Sequence, residues 1–260
     1  MTDRINTLAV DGISLEAKWI GLAESQKPVL VFLHEGLGCV ALWRDFPEKL
    51  CDALGLRGLV FSRQGYGASA SIPLPRPVHF MHYEGLTVLP KVLDAAGIDQ
   101  AILVGHSDGG SISLINAGGV RDPRVKAVVT LAAHVFNEDI TLRSIAEAKI
   151  AYETTNLRER LAKYHGDNVD CAFWGWNGVW LDPNFKDWNI EEFLPSISIP
   201  TLILQGEEDQ FGTPAQIEAI QRGIGTPARM RLIPDCKHSP HLEQPDVTLT
   251  LIADFVASLG

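Results

Sequence analysis

Short apolar runs that alternate with helical stretches constrain the fold of this chain more than any other feature. Pro28–Leu33, Gly58–Ser62 and Ala101–Val104 are almost continuously apolar. Runs of this kind are typical of parallel strands that are buried on both faces of a sheet. Helical periodicity lies between them, as in Ala41–Leu54. The alternation predicts an α/β protein built on a mainly parallel sheet that is flanked by helices.

The chain begins with a different pattern. Ile5–Val10 and Ile13–Ile20 are two β-rich segments on either side of Asp11 and Gly12. An Asp-Gly pair between two such segments is typical of a two-residue hairpin, so an antiparallel entry to the sheet is expected. With the later runs, including Thr201–Leu204, the predicted sheet has eight strands.

The alternation stops after the sixth predicted strand. Residues 134–198 contain no buried strand pattern, and they hold four of the six tryptophans of the chain. We interpret this segment as a helical cap inserted into one core. The predicted organisation is therefore a first core part over 1–133, a cap over 134–198 and a second core part over 199–260.

Composition excludes several classes of partner. Lys and Arg number 22 against 32 Asp and Glu, a formal net charge of −10, which disfavours binding to nucleic acid and to anionic membrane surfaces. No apolar run reaches the ~18 residues of a membrane span. The start, Met1 to Asn6, lacks a signal-peptide pattern, so a cytoplasmic location is expected. The partner is expected to be a small molecule, and the oligomeric state stays open.

The four cysteines and the histidines show no metal-binding pattern. The cysteines lie far apart without CxxC spacing, and free thiols are expected for a chain inside the cell. Neither a metal nor a cofactor is predicted, because no zinc-ligand spacing and no phosphate-binding glycine loop is present.

One motif indicates chemistry. Gly105, Ser107 and Gly109 form G-x-S-x-G between a predicted strand and a predicted helix. A sharp turn at this junction exposes the serine hydroxyl, and the helix N-terminus behind it offers N–H groups to a developing oxyanion. A glycine-serine turn without chemistry is the alternative interpretation, and the flanking strand and helix favour the nucleophile.

A serine nucleophile needs a base, and the base needs an orienting acid. Asp209 follows the strand at 201–204, and His238 follows the strand at 229–233. The order Ser, Asp, His along the chain is the order expected after a strand–turn–helix serine. Two alternatives stay open at this point. Glu207 and Glu208 are alternative candidates for the acid, and His241 is an alternative candidate for the base.

These motifs together resemble the α/β-hydrolase superfamily, in the capped serine hydrolase branch that holds esterases, lactonases, carbon–carbon hydrolases and cofactor-free haloperoxidases. The resemblance covers nearly the whole chain, with 134–198 as the divergent part. It is carried by four groups of residues: His34, Gly36 and Gly38; Gly65 to Ser69; Gly105 to Gly110; and Gly206, Asp209 and His238.

The resemblance implies a role for each matching residue. Ser107 would be the nucleophile, His238 the general base and then acid, and Asp209 the residue that orients His238. The backbone N–H groups of Asp108 and Gly36 would form the oxyanion hole, with Leu37 as the neighbouring choice for the second donor.

Substrate-binding residues are less well marked. Glu35 stands where the family usually has glycine, so its carboxylate is a candidate to select a cationic or hydroxylated group. Aromatic residues of the predicted cap are candidates for an apolar wall of the pocket. The full set of candidates is Glu35, Leu37, Trp174, Trp176 and Trp180.

The predicted reaction is hydrolysis of a small, hydrophobic carboxylic ester, thioester or lactone through an acyl-enzyme. Two alternatives stay open. One is hydrolysis of a carbon–carbon bond in a vinylogous diketone, which uses the same triad. The other is a ligand-binding protein with this fold and little or no turnover, since fold alone does not establish function.

Overall fold

The computed structural model describes residues 5–21 and 28–259, and a single sheet of eight strands runs through them. The strands are β1 Ile5–Val10, β2 Ile13–Ile20, β3 Val29–Leu33, β4 Arg57–Phe61, β5 Ala101–His106, β6 Val125–Leu131, β7 Thr201–Gly206 and β8 Ala228–Ile233. Their order in space is β1-β2-β4-β3-β5-β6-β7-β8. The pairs β1·β2 and β2·β4 are antiparallel, and every later pair is parallel. The predicted mainly parallel, eight-stranded sheet is confirmed.

The antiparallel entry is also confirmed. Val10 pairs with Ile13, so a two-residue turn joins the strands. Asp11 and Gly12 have φ values of 48° and 79°. Positive φ at both turn positions gives the turn a twist that matches the twist of the strands. Residues 1–4, where the absence of a signal sequence was expected, lie outside the described residues.

Ten α-helices flank the sheet within the described residues. They are α1 Phe46–Leu54, α2 Phe80–Tyr83, α3 Leu89–Ala95, α4 Asp108–Ile115, α5 Asp139–Thr154, α6 Leu157–His165, α7 Val169–Trp180, α8 Ala215–Ile224, α9 Pro240–Glu243 and α10 Pro245–Ala257. None of the helices in the described ranges is both long and apolar enough to cross a membrane.

The helix expected over Ala41–Leu54 is interrupted. Val40–Trp43 forms a short 3₁₀ helix, and α1 begins only at Phe46. Arg44 between them has φ 55°, outside the helical region, and Pro47 occupies the first turn of α1, where its missing N–H costs nothing. Periodicity alone did not reveal this break.

Both faces of the sheet are buried, as the apolar runs predicted. On one face Val31, Leu59 and Leu103 belong to one apolar cluster. On the other face Leu30, Phe32, Val60, Ile102 and Val104 belong to a second cluster. Successive side chains of a strand point to opposite faces, so a strand that packs on both sides must be apolar at every position.

Residues 134–198 add no strand to the sheet and contribute α5, α6 and α7. Phe173 and Trp180 of α7 join the larger apolar cluster. His165 at the end of α6 bridges two core loops: its Nδ1 accepts from the Gly67 N–H at 3.0 Å, and its Nε2–H donates to the Leu37 carbonyl at 3.0 Å. The division of the chain at residues 134 and 198 stays a prediction.

Candidate active site

Ser107 lies at the junction of β5 and α4 with a strained backbone. Its φ and ψ are 51° and −117°, a region that costs a non-glycine residue roughly 1–3 kcal/mol. Hydrogen bonds hold the turn: the Ser107 N–H donates to the Leu131 carbonyl at 2.8 Å, and the Ser107 carbonyl accepts from Gly110 N–H at 2.8 Å. Strain that is held by neighbouring backbone is typical of a residue placed for function.

Glycine is required on both sides of this serine. A Cβ on Gly105 would collide with the backbone of Gly109, and a Cβ on Gly109 would collide with the carbonyl of Leu33. The strand and the helix therefore approach as closely as two backbones allow, as the motif predicted.

His238 and Asp209 are paired at the carboxyl ends of the next strands. Asp209 follows β7 and His238 follows β8, and a Cβ on Gly206 would collide with backbone carbonyls of Cys236 and Lys237, so the two loops are in contact. His238 Nδ1 lies 2.8 Å from Asp209 Oδ1. Because a carboxylate only accepts, this places the proton of the imidazole on Nδ1 and leaves Nε2 as the free nitrogen.

The surroundings of Asp209 keep its carboxylate ionised. Burial works to raise its pKa, but the charge and hydrogen bond of His238 and the N–H of Phe211, 2.8 Å from the same Oδ1, outweigh burial and lower the pKa. The competing carboxylates Glu207 and Glu208 are exposed to solvent. Asp209 is thus the acid of this loop that contacts His238.

His241 lies behind the site. Its ring packs 4.7 Å from the Trp43 ring and 5.7 Å from the Phe46 ring, measured between centroids. Burial is the largest cause that holds its pKa well below 6.5, so the ring is neutral and serves as a packing residue. It does not contact Asp209 or line the cavity described next.

A cavity of about 180 Å³ brings Ser107 and His238 together. Its wall is mostly apolar, and the loop after β3, α5 and α7 supply seven of the twelve residues that line it. The residues that line it are Glu35, Gly36, Leu37, Ser107, Asp108, His134, Thr141, Ile145, Trp176, Trp180, Phe211 and His238.

Trp176 and Trp180 are at the cavity, whereas Trp174 is not. Trp174 packs edge-on against Tyr152 and Phe173, with ring centroids 5.5 Å and 5.0 Å away. Residues 176 and 180 are four apart on α7 and share one face of the helix, whereas 174 points away from that face. Trp174 is therefore not among the residues that line this cavity, and its contact with substrate stays a prediction.

The loop after β3 is held by buried polar groups that engage its carbonyls. The Arg63 guanidinium donates to the carbonyls of His34 and Glu35. The His34 ring donates from Nδ1 to the Glu35 carbonyl and accepts the Arg63 N–H at Nε2. Among the described residues no protein oxygen accepts from the Gly36 N–H, and this residue lines the cavity beside Ser107.

Trp176 covers this loop directly. A Cβ on Gly36 would collide with the indole ring of Trp176. The indole therefore lies against the backbone that was predicted to supply the second oxyanion donor. The first predicted donor, the Asp108 N–H, is in the first turn of α4, where helical N–H groups have no intrahelical acceptor.

Comparison with known proteins places this fold and site in a family. A model of the alpha/beta hydrolase family matches residues 30–251. The chain belongs to the alpha/beta hydrolase family.

Two curated proteins and one solved structure illustrate what this chain is similar to. Epoxide hydrolase 2 of Siraitia grosvenorii is 30% identical over 141 residues, which are 54% of this chain and 42% of that protein, so the chain spans less than half of that relative. Serine hydrolase BPHL of Mus musculus is 27% identical over 255 residues, 96% of this chain and 85% of that protein. The enol-lactonase of Burkholderia xenovorans LB400 has a TM-score of 0.74 at 21% identity, with 97% of this chain and 100% of that chain covered; at this identity the likeness shows the fold alone.

Glu35 of this alpha/beta hydrolase does not point freely into the cavity. Its Oε2 lies 3.3 Å from Nδ1 of His106. Burial works to raise the pKa of Glu35, but the hydrogen bond and charge of His106 hold that pKa far below its usual range. The carboxylate is therefore a partner of His106, and its role in selecting a substrate group stays a prediction.

Four cavity residues were missed by sequence reasoning: His134, Thr141, Ile145 and Phe211. His134 comes three residues after β6, at the sheet edge where Ser107 lies, and that position was a usable signal. Phe211 lies two residues after Asp209, and its ring packs 4.7 Å from the His238 ring. Thr141 and Ile145 are on α5, whose placement over the sheet is a tertiary property.

Two buried polar atoms at the cavity have no hydrogen-bond partner, Asp108 Oδ2 and His134 Nδ1. Burial raises the pKa of Asp108, and burial lowers the pKa of His134 to about 4. Trp180 Nε1 donates to the other oxygen of Asp108 at 3.3 Å. Within 5–21 and 28–259 no group of three or more His, Cys, Asp or Glu side chains is arranged to hold a metal ion.

Proposed function

We propose that this protein is a serine hydrolase that cleaves a small carboxylic ester, thioester or lactone through an acyl-enzyme. One observation supports it most directly. Ser107, on its strained turn, opens into the same cavity as His238, whose Nδ1 lies 2.8 Å from Asp209 Oδ1. A hydroxyl, an imidazole and a carboxylate in this order are the parts that acyl transfer needs.

The reaction follows from these parts. His238 Nε2 takes the proton of the Ser107 hydroxyl as its oxygen attacks the carbonyl carbon, and Asp209 stabilises the imidazolium that forms. The imidazolium then gives its proton to the leaving oxygen or sulfur, and the acyl group stays on Ser107. Water enters, His238 deprotonates it, and the acid is released as Ser107 regains a proton.

The negative oxygen of each tetrahedral intermediate needs donors that are already in place. The N–H groups of Asp108 and Gly36 are the proposed pair, because both residues line the cavity and neither N–H has an acceptor among the described residues. Arg63 and His34 engage the carbonyls of the loop and keep the amide of Gly36 available. The loss of one such donor typically costs about 2.7–4 kcal/mol in the barrier.

The size and lining of the cavity support a small apolar acyl group. A volume of about 180 Å³ is below the roughly 300–1,000 Å³ of pockets for drug-sized ligands. Leu37, Ile145, Trp176 and Trp180 supply apolar surface to it. The relative named serine hydrolase BPHL supports a serine nucleophile.

A fluorophosphonate probe tests the nucleophile. We expect stoichiometric labelling of the native protein at Ser107, read by mass spectrometry of the modified peptide, and no labelling of Ser107→Ala. In His238→Ala, turnover of an ester should fall by about 10³-fold or more with KM little changed. The control is His79→Ala, which removes an exposed histidine that does not line the cavity. Absence of labelling in the folded native protein would favour a ligand-binding protein instead.

The bond type is tested with a substrate panel. p-Nitrophenyl esters of graded acyl length and a ring-fission diketone are compared by kcat/KM. The proposal expects the highest value for a short acyl ester and a fall as the chain outgrows the cavity. A higher value for the diketone would assign the same triad to carbon–carbon cleavage.

A further inference from the structure

The ring of His106 lies between two oxygen atoms that can only accept hydrogen bonds. Nε2 lies 2.8 Å from the carbonyl oxygen of His238, and Nδ1 lies 3.3 Å from the carboxylate of Glu35. The His106 side chain is 2% exposed, so water does not compete for either nitrogen. The lowered pKa of Glu35 keeps its carboxylate ionised, and an ionised carboxylate only accepts hydrogen bonds. A neutral imidazole has only one N–H, so both contacts are then hydrogen bonds only when the ring is an imidazolium.

We propose that Glu35 and His106 form a partly buried ion pair that positions the general base, because the His106 imidazolium holds the backbone of His238. This inference rests on the proposed function, in which His238 is the base. Neither residue touches the reacting atoms in this scheme. Both are positioning residues, and Glu35 acts through His106.

The loop around His238 shows why this contact matters. Both carboxylate oxygens of Glu243 accept backbone N–H groups on either side of His238: Lys237 N–H at 2.7 Å and Ser239 N–H at 3.0 Å. The carbonyl of His238 itself has His106 as its donor. Asp209 therefore holds the side chain of His238, and His106 holds its main-chain carbonyl.

The ion pair also joins two parts of the proposed machinery. Glu35 precedes Gly36, the proposed oxyanion donor, and His106 precedes Ser107. One pair of side chains thus connects the loop after β3, the serine turn and the loop of the base. A displacement of about 1 Å in such a site can lower the rate by about 10²-fold.

Glu35 is the main reason that the surroundings of His106 favour the charged ring. Burial lowers the pKa of His106, and the Glu35 carboxylate, the His238 carbonyl and Asp209 together raise it above 6.5. The other titratable or charged groups around the pair are His34, Cys39, Arg63, Asp108, His134, His165, His238, His241 and, beyond His241, Arg44. Removal of the Glu35 charge takes away the two largest causes that raise the pKa of His106, so burial should prevail and the ring should become neutral at pH 7.

The pair has a defined pH window. The raised pKa of His106 means that its contribution is present at low pH and is lost as pH rises through that pKa. The lowered pKa of Glu35 means that its contribution is complete above the usual carboxylate range and is lost only in strong acid. The positioning therefore fails on the basic side, and kcat should decline there.

The ion pair is tested by imidazole ¹⁵N NMR on the full chain. We expect both ring nitrogens of His106 to be protonated at pH 7 in the native protein, and one of them to be bare in Glu35→Gln. A native His106 with one bare nitrogen at pH 7 would overturn the ion pair.

Positioning is tested by kcat and KM for a p-nitrophenyl ester between pH 5 and 9. For Glu35→Gln we expect kcat to fall by about 10- to 100-fold at pH 8 with KM within about twofold, and the basic decline of kcat to move to lower pH. Glu35→Asp should recover part of the loss. The control is Glu16→Gln, which removes a buried carboxylate that accepts from Ser62 Oγ at 2.6 Å and does not contact His106. Its profile should match the native one.

The outcomes separate the two proposals. Native labelling and turnover with an unchanged profile in Glu35→Gln would overturn the positioning role and leave the serine hydrolase intact. No labelling of the native protein would overturn the hydrolase and the positioning role together. His106→Phe keeps an aromatic side chain and removes both ring N–H donors, so it should reproduce the loss of kcat. Circular dichroism checks that this variant folds.

Discussion

Asp209→Asn isolates the electrostatic role of the proposed acid. Asp209 Oδ1 receives both the His238 Nδ1–H and the Phe211 N–H, each at 2.8 Å. Because two donors converge on this atom, the amide of Asn should place its oxygen there and its NH₂ group on the other side. His238 would keep its tautomer, and the variant would lose only the negative charge.

The size of the effect follows from burial. Asp209 and His238 are 8% and 9% exposed, so bulk-water screening does not apply to the pair. Two unit charges about 4 Å apart at an effective dielectric constant near 20 interact by about 4 kcal/mol. In the proposed mechanism the imidazolium forms as Ser107 loses its proton, so the lost charge should raise the barrier by up to this amount. At about 1.36 kcal/mol per tenfold, kcat should fall by about 10²- to 10³-fold.

The assay is initial-rate hydrolysis of a short p-nitrophenyl ester, with fluorophosphonate labelling rate as a second measure of the nucleophile. Glu207→Gln and Glu208→Gln are matched controls, since each removes one carboxylate from the same loop without contact to His238. They should stay within about twofold of native activity. A loss below about tenfold in Asp209→Asn, or an equal loss in a control, would refute the assignment of Asp209.

Three further outcomes are expected. Trp176→Ala should shift the preferred acyl chain to greater length because its indole lines the cavity, whereas Trp174→Ala should leave the preference unchanged in the same ester panel. Burial lowers the pKa of His134 to about 4, so this histidine takes up its proton at a lower pH in the folded state than in the unfolded state. Its contribution to the free energy of unfolding is therefore complete above pH 6.5, and the free energy falls by up to about 3 kcal/mol as the pH drops to 4. Urea unfolding should show a smaller loss over that range in His134→Phe, and an equal loss would contradict the assignment. Gly109→Ala should fail to give soluble folded protein, because the added methyl group meets the Leu33 carbonyl; a native melting temperature would contradict the packing of strand on helix.

Local patterns were sufficient for the architecture. Each strand of a doubly covered parallel sheet must be apolar on both faces, and this requirement is visible in the residues of β3, β5 and β7. The turn at Asp11 and Gly12 and the turn at Ser107 are also local, because each depends on backbone angles that few residues adopt. The helix expected over 41–54 was wrong in its first part: a 3₁₀ helix ends at Trp43, and a turn at Arg44 and Asp45 precedes α1.

The order of Ser107, Asp209 and His238 and their places after strands are properties of the sequence, because parallel strands bring their carboxyl ends to one edge. The sequence pattern does not determine which side chains meet at that edge. Glu35 and His106 are 71 positions apart, and only the packing of β3 beside β5 brings their side chains to 3.3 Å. Likewise α7 turns Trp176 and Trp180 toward the cavity and Trp174 away from it, a choice made by how one helix lies on its neighbours. Contacts between distant segments depend on the packing of the whole core, so a local sequence pattern does not predict them.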